Sequence, residues 1–170
     1  VSADLLLPVV AGAVAAHGLL VEVLACDPGL ADTAAFCAHY GFELADAANT
    51  IVVTSKKVEP PRMAACVVLG TTRLDVNRVV RERLGVRRAS FADAETTVGR
   101  TGMLVGGVTA PGIDGLPLWI DSAVLRRERV VMGGGNRSSK LVLHPSELLK
   151  LPGAEIIEGL AVEPEPQGPL

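Results

Sequence analysis

Two short apolar runs place the strongest constraint on this chain. Residues 50–55 (Thr-Ile-Val-Val-Thr-Ser) and 63–69 (Met-Ala-Ala-Cys-Val-Val-Leu) are rich in β-branched and aliphatic side chains. A stretch ending in Pro60 and Pro61 separates them. Runs of this length, bounded by turn residues, read as buried strands, and the pair predicts a hairpin with a longer loop. The rest of the chain must cover both faces of that hairpin. Only five of the 170 residues are aromatic, whereas 49% are hydrophobic, so the covering core must be aliphatic. A chain of this length buries about 70% of its unfolded surface and needs no staples. The composition excludes a disordered chain, a collagen-like repeat and a disulfide scaffold.

The remaining elements are short and punctuated by glycine and proline. Residues 9–17 read as an alanine-rich helix stopped by Gly18, and 19–25 as a strand. Asp32 is placed to cap a helix running to Tyr40, with Gly41 as its stop. Asp75 is placed to cap a helix over 76–84, whose Val76, Val79, Val80 and Leu84 share one face. Residues 88–91, 103–108, 118–121, 129–132 and 155–157 read as strands, and 92–98 and 145–151 as short helices. The pattern is neither a regular βαβ alternation nor all-β. It predicts one domain over residues 1–160 and a disordered Pro- and Glu-rich tail over 161–170.

No apolar run reaches the ~18–20 residues of a membrane span, and the stretch 5–16 lacks a basic leader, so neither a span nor a signal peptide is expected. Cys26, Cys37 and Cys66 have no framework spacing and read as reduced core thiols of a cytoplasmic protein. Net charge is −3. It is uneven: residues 1–55 carry six acids and no Lys or Arg, whereas 56–88 carry nine bases against three acids. The basic middle is either an anion-binding face or a solvated helix surface.

Two glycine-rich segments are candidates for chemistry. In Gly133-Gly134-Gly135-Asn136-Arg137-Ser138-Ser139-Lys140, successive N–H groups can form an anion nest, with Arg137 and Lys140 adding charge. The spacing is not that of a P-loop or a dinucleotide-binding loop, and a plain β-turn is the alternative. In the segment from Gly106 to Gly112, which contains Gly107, Val108 and Thr109, backbone amides can hold a carbonyl or an oxyanion; the alternative is a wide connection. Asp121 either caps the segment starting at Ser122 or receives Arg137 or Lys140. His17, His39 and His144 are scattered, no nucleophile elbow is present, and no metal spacing is convincing.

Four strings in order resemble a known family: Thr101 to Thr109 (Thr-Gly-Met-Leu-Val-Gly-Gly-Val-Thr), Leu116 to Asp121 (Leu-Pro-Leu-Trp-Ile-Asp), Gly133 to Lys140, and Pro152-Gly153-Ala154-Glu155. The chain resembles the YbaK/EbsC family from about residue 19 to 161. That family also occurs as the editing domain inserted in bacterial prolyl-tRNA synthetases. The resemblance implies an α/β (α+β) fold with a mixed, largely antiparallel, barrel-like sheet flanked by short helices. It implies trans-acting hydrolysis of the ester joining a wrong amino acid to the terminal adenosine of a tRNA, without metal, cofactor or covalent nucleophile. The partners so implied are the tRNA acceptor end and a synthetase.

Carried onto this chain, the ester is held by Thr109 and the amides near Gly106 and Gly107. Asn49, Thr50, Val108 and Asp121 then belong to the substrate site, Asn49 orienting the terminal adenosine or its phosphate, and Gly134, Gly135, Arg137 and Lys140 line its other wall. Two strings depart from the pattern. Asn49 stands where members usually carry a lysine, and Ala110 follows Thr109 where a proline is usual, with Pro111 next. Lys140 is the candidate to supply the missing charge, because Lys56 lies ~20 Å away along the strand. Bases within 56–88 are expected on acceptor-stem phosphates. The alternative is a non-catalytic module of the same fold, binding an aminoacyl nucleotide, an amino acid or a synthetase. A homologue acting on another small ester or amide is a weaker third.

Overall fold

A computed structural model describes residues 3–165. A 3-10 turn (Ala3–Leu5) leads into helix α1 (Pro8–Ala16), with Pro8 in its first turn, and strand β1 (Glu22–Ala25). Helix α2 (Thr33–Tyr40) ends on Gly41, whose positive φ supplies the left-handed stop. The expected hairpin follows: β2 (Ala48–Ser55) and β3 (Met63–Leu69) pair antiparallel, Thr50 opposite Val67.

Next come β4 (Arg73–Leu74), a π-helical turn (Val76–Val80) and α3 (Arg81–Leu84). The helix expected over 76–84 therefore starts over-wide, although the Asp75 side chain caps it by accepting from the Arg78 N–H. Strand β5 (Ala89–Phe91), helix α4 (Ala94–Thr101) and strands β6 (Leu118–Asp121), β7 (Val130–Gly133), β8 (Ser139–Leu143), β9 (Ala154–Ile157) and β10 (Ala161–Val162) complete the order.

Three sheets form: β5-β2-β3-β6-β9, β1-β8-β7 and the small pair β10-β4. Most pairings are antiparallel, and β6 runs parallel to both β3 and β9. A bridge between Ala47 and Val131 joins the two larger sheets. The architecture is the mixed α/β one expected, although among the described residues the strands do not close into a barrel.

The core is aliphatic, as the scarcity of aromatics requires. Val67, Ile120, Met132, Leu141 and Val10 fill the space between the two larger sheets and α1. Each such side chain contributes ~1.5–3 kcal/mol on burial. Val53, Cys66 and Trp119 face the other way, under Val80 and Leu84. A third cluster, around Phe36 and Val142, seats α2 on β7 and β8.

Four sequence expectations need correction. Residues 103–108 form a loop, not a strand: Gly106 takes φ +85°, and the Leu104 and Gly107 amides bond within the loop and to Gly135. Strand β8 was hidden in the tail of the glycine-rich segment, because Ser139 and Lys140 read as loop residues. They are the first two residues of a strand held on both sides, by β1 and β7. Residues 145–150 form a 3-10 rather than an α-helix. Within the expected tail, Ala161 and Val162 pair with β4; residues 166–170 lie outside the described region.

Candidate functional site

A cavity of about 460 Å³ opens between the start of α2, the start of β2, the 105–108 loop, the end of β7 and Lys140. Asn49, Thr50, Gly106, Val108 and Lys140 all line it. Topology assembles them. The Ala47–Val131 bridge sets the first turns of β2 alongside β7, and β7 pairs Gly133 with Lys140. Three segments far apart in sequence thus share one wall.

Lys140 is 7% exposed, a rare position for an ammonium group. Its Nζ donates to the Ala31 carbonyl at 2.7 Å and sits 5.2 Å from the centre of the Phe36 ring. Burial holds it below the ordinary lysine value. Cys26 and Cys37 lie nearby, and burial pushes both thiols up. Opposite, the Thr33 hydroxyl donates to Asn49 Oδ1 at 2.7 Å. The start of α2 and the residues just before it therefore anchor Asn49, through Thr33, and Lys140, through Ala31.

The two glycine-rich segments pack backbone against backbone. Gly135 N–H donates to the Gly107 carbonyl at 2.7 Å, and Leu104 N–H to the Gly135 carbonyl at 2.9 Å. A methyl group on Gly107 would run into the Asn136 backbone, and one on Gly133 would lie 2.6 Å from the Gly107 oxygen. Among the described residues the N–H groups of Gly106 and Val108 meet no acceptor. Both residues line the cavity, as does Val105, whose N–H is also without an acceptor, so this loop carries unpaired backbone donors at the cavity wall.

The other residues singled out in the sequence lie elsewhere. Gly107 and Gly135 form the interface between the loops, Gly134 packs on Ser139 and accepts from the Leu7 N–H, and none of the three lines the cavity. Arg137 is a strut: it donates to the carbonyls of Pro28 and Val105 and pairs with Asp32 at 3.3 Å. Asp32 therefore precedes α2 without a side-chain cap bond. Thr109 is fully buried behind the loop, its hydroxyl without a partner; the Thr50 hydroxyl is likewise buried and unpaired, but at the cavity wall. Asp121 is not in the cavity. Its carboxylate accepts from the Ala161 N–H at 3.3 Å, beyond reach of Arg137 and Lys140, which have their own partners. His144 accepts from the Ser146 N–H.

Sequence reasoning missed Thr33 and Phe36, because a short capped helix reads as scaffold. One signal was present: Phe36, Tyr40 and Phe42, three of five aromatics, fall within seven positions, and the rings stack at 4.7 and 5.5 Å. Among the described residues no cluster of three or more His, Cys, Asp or Glu could hold a metal, and no helix is long and apolar enough to cross a membrane.

Comparison with known proteins agrees with this geometry. The chain is similar to the crystal structure of the hypothetical protein APE2540, with 26% identity, a TM-score of 0.80, and coverage of 91% of this chain and 99% of that one. It is also similar to a crystal structure of a protein proposed as a trans-editing enzyme for prolyl tRNA synthetase. There the identity is 25% and the TM-score 0.76, over 90% of this chain and 97% of that one. The model of the aminoacyl-tRNA editing domain matches residues 27–151. That span contains the cavity and every residue placed on its wall, and the chain belongs to the aminoacyl-tRNA editing domain family.

Proposed function

We propose that this protein hydrolyses mischarged aminoacyl-tRNA in trans, without a metal or a covalent nucleophile. The observation that carries the reading is the cavity wall itself. It combines two unpaired backbone amides, Gly106 and Val108, with a buried ammonium group, Lys140, and an anchored amide, Asn49. The ester carbonyl sits against the two amides, which stabilise the oxyanion as water adds to carbon. Preorganised donors of this kind contribute ~100-fold or more to rate. The C–O bond to the ribose then breaks, the ribose oxygen takes the proton, and the amino acid leaves as a free acid. A vicinal ribose hydroxyl of the substrate orients the water, which supplies the role that a catalytic base would otherwise fill.

Lys140 and Asn49 bind the terminal nucleotide. Lys140 supplies positive charge to a wall that otherwise offers neutral donors. The buried Thr50 hydroxyl, lacking a partner, meets the substrate's polar atoms in the bound state. Size exclusion by the cavity rejects larger amino acids, within the ~1–3 kcal/mol that one methylene commands. The working partners are the acceptor end of a tRNA and the synthetase that charges it. Three free, buried thiols fit a reducing compartment.

Asn49 also favours a second reading, because it stands where the resemblance calls for a lysine: a module that binds without hydrolysing. A deacylation panel decides. Ala- and Cys-charged proline tRNA, then other mischarged tRNAs, are incubated with the protein at low and physiological salt. Hydrolysis above the spontaneous rate that disappears in Lys140→Ala supports the deacylase. No hydrolysis by the folded protein across the panel overturns it.

A further inference from the structure

Beside the cavity lies a second feature that the hydrolytic reading does not use. Lys56, Arg81, Arg87 and Arg88 line a separate cleft of about 340 Å³. None of the four has a carboxylate within ion-pair distance among the described residues, and no acidic residue lines the cleft; other bases, such as Arg62 and Arg129, are also unpaired, but these four are gathered in one concavity. The nearby acids of the segment, Glu59 and Glu82, do not line the cleft. Like charges gathered without counter-charges mark a place for an anion.

The cleft and the cavity are joined by two strands. β2 carries Asn49 at the cavity and leads to Lys56 at the cleft, about 23 Å along at ~3.3 Å per residue. β5, the edge of the five-stranded sheet, runs back from Ala89 at the cleft to Phe91, and Ala92 and Ala94 then line the cavity. Phe91 lies opposite Val53 and so shares a face with Ile51 and Asn49. It is 56% exposed, on a chain that has only five aromatics. An aromatic face between a nucleotide cavity and a basic cleft is the arrangement that single-stranded nucleic acid uses: bases stack on the ring while phosphates follow the cations.

We infer that β5 and this cleft form a track for the single-stranded 3′ end of RNA, with Phe91 as a stacking platform and Lys56, Arg81, Arg87 and Arg88 as the phosphate clamp. The inference rests on the reading that the cavity takes the terminal nucleotide, and it adds which surface carries the strand away. Four phosphate contacts to a single strand predict a slope of log K against log salt of about −3.

The test is anisotropy of a labelled, uncharged acceptor-stem RNA ending in CCA, titrated at several salt concentrations. Arg87→Gln/Arg88→Gln is expected to bind more weakly and to bring the slope to about −1.4. Arg87→Lys/Arg88→Lys restores it, which separates lost charge from lost fold. Phe91→Ala is expected to weaken binding roughly 5–100-fold with the slope unchanged. Arg126→Gln, outside the cleft, behaves as wild type. Wild-type protein that does not bind the RNA, or cleft and Phe91 variants that bind like wild type, overturns the track. The readout needs no hydrolysis. An inactive protein that binds with these slopes refutes the deacylase reading alone, and an active one whose variants bind normally refutes the track alone.

Discussion

The Thr33 hydroxyl donates to Asn49 Oδ1 across 2.7 Å, tying the first turn of α2 to the start of β2. With the oxygen engaged, the Asn49 NH₂ group is the part left to face the cavity. Thr33→Val is expected to lower kcat/KM for deacylation about fivefold, the worth of one hydrogen bond, and Asn49→Ala to lower it further. Melting temperatures of both variants test whether the fold is intact. Wild-type turnover in Thr33→Val would remove Thr33 as a positioning residue.

Asn49→Lys distinguishes the two functional readings. In a working deacylase the added ammonium group meets Lys140 across the same cavity, and activity stays level or falls. In a binding module that lacks hydrolysis for want of the lysine, activity appears. Steady-state rates on one mischarged tRNA decide it.

Lys140 gives the stability a defined pH dependence. Burial holds its pKa below the ordinary value of 10.5. Between the lowered native value and 10.5 the unfolded chain binds the extra proton, so stability rises with pH in that window. At lower pH the cost of the buried charge is fully present. Wild type is therefore expected to gain stability relative to Lys140→Met as pH climbs towards 10.5, measured by denaturant unfolding at each pH. Parallel curves for the two proteins would show that the charge is not penalised.

Gly107 has no room for a side chain. Gly107→Ala forces a methyl group onto the Asn136 backbone and separates the two loops. A loss of ~1–3 kcal/mol is expected, the usual cost of overpacking. Urea midpoints measure it. Gly12, where an added Cβ meets nothing within 4 Å, is the control. Gly12→Ala removes a helix-interior glycine and is expected to stabilise by ~0.5–1 kcal/mol.

The thiols are predicted to be inert. Burial pushes Cys66 up to about 12 and raises Cys26 and Cys37 as well. Thiolate is the reactive form. Ellman's reagent at pH 8 is expected to titrate no thiol rapidly in the native protein and three after unfolding. Fast labelling of Cys37 would show that the cavity wall opens.

Local chemistry was legible in the chain by itself. The 50–55 and 63–69 runs could bury themselves only as paired strands, Gly41 could only stop a helix, and Asp75 sat three residues before the amide it caps. The resemblance of four ordered strings carried the family, which the match over residues 27–151 shows. What a linear reading could not supply was which polar groups already had partners. Arg137 looked like a ligand residue and is a strut, because Pro28, Asp32 and Val105 converge on it from two other segments. Gly107 and Gly135 looked like a cradle and form a backbone-to-backbone seam, and Gly134 packs on Ser139 of its own segment. Asp121 ends a strand that points away from the cavity, towards Ala161. Thr33 and Phe36 gave no local sign of joining Asn49 and Lys140, since pairings across some 15 to 110 residues leave no spacing to read. Strand propensity and turn chemistry act between neighbours, so sequence determines them. The partner of a buried charge depends on where distant segments meet, and only the tertiary structure decides that.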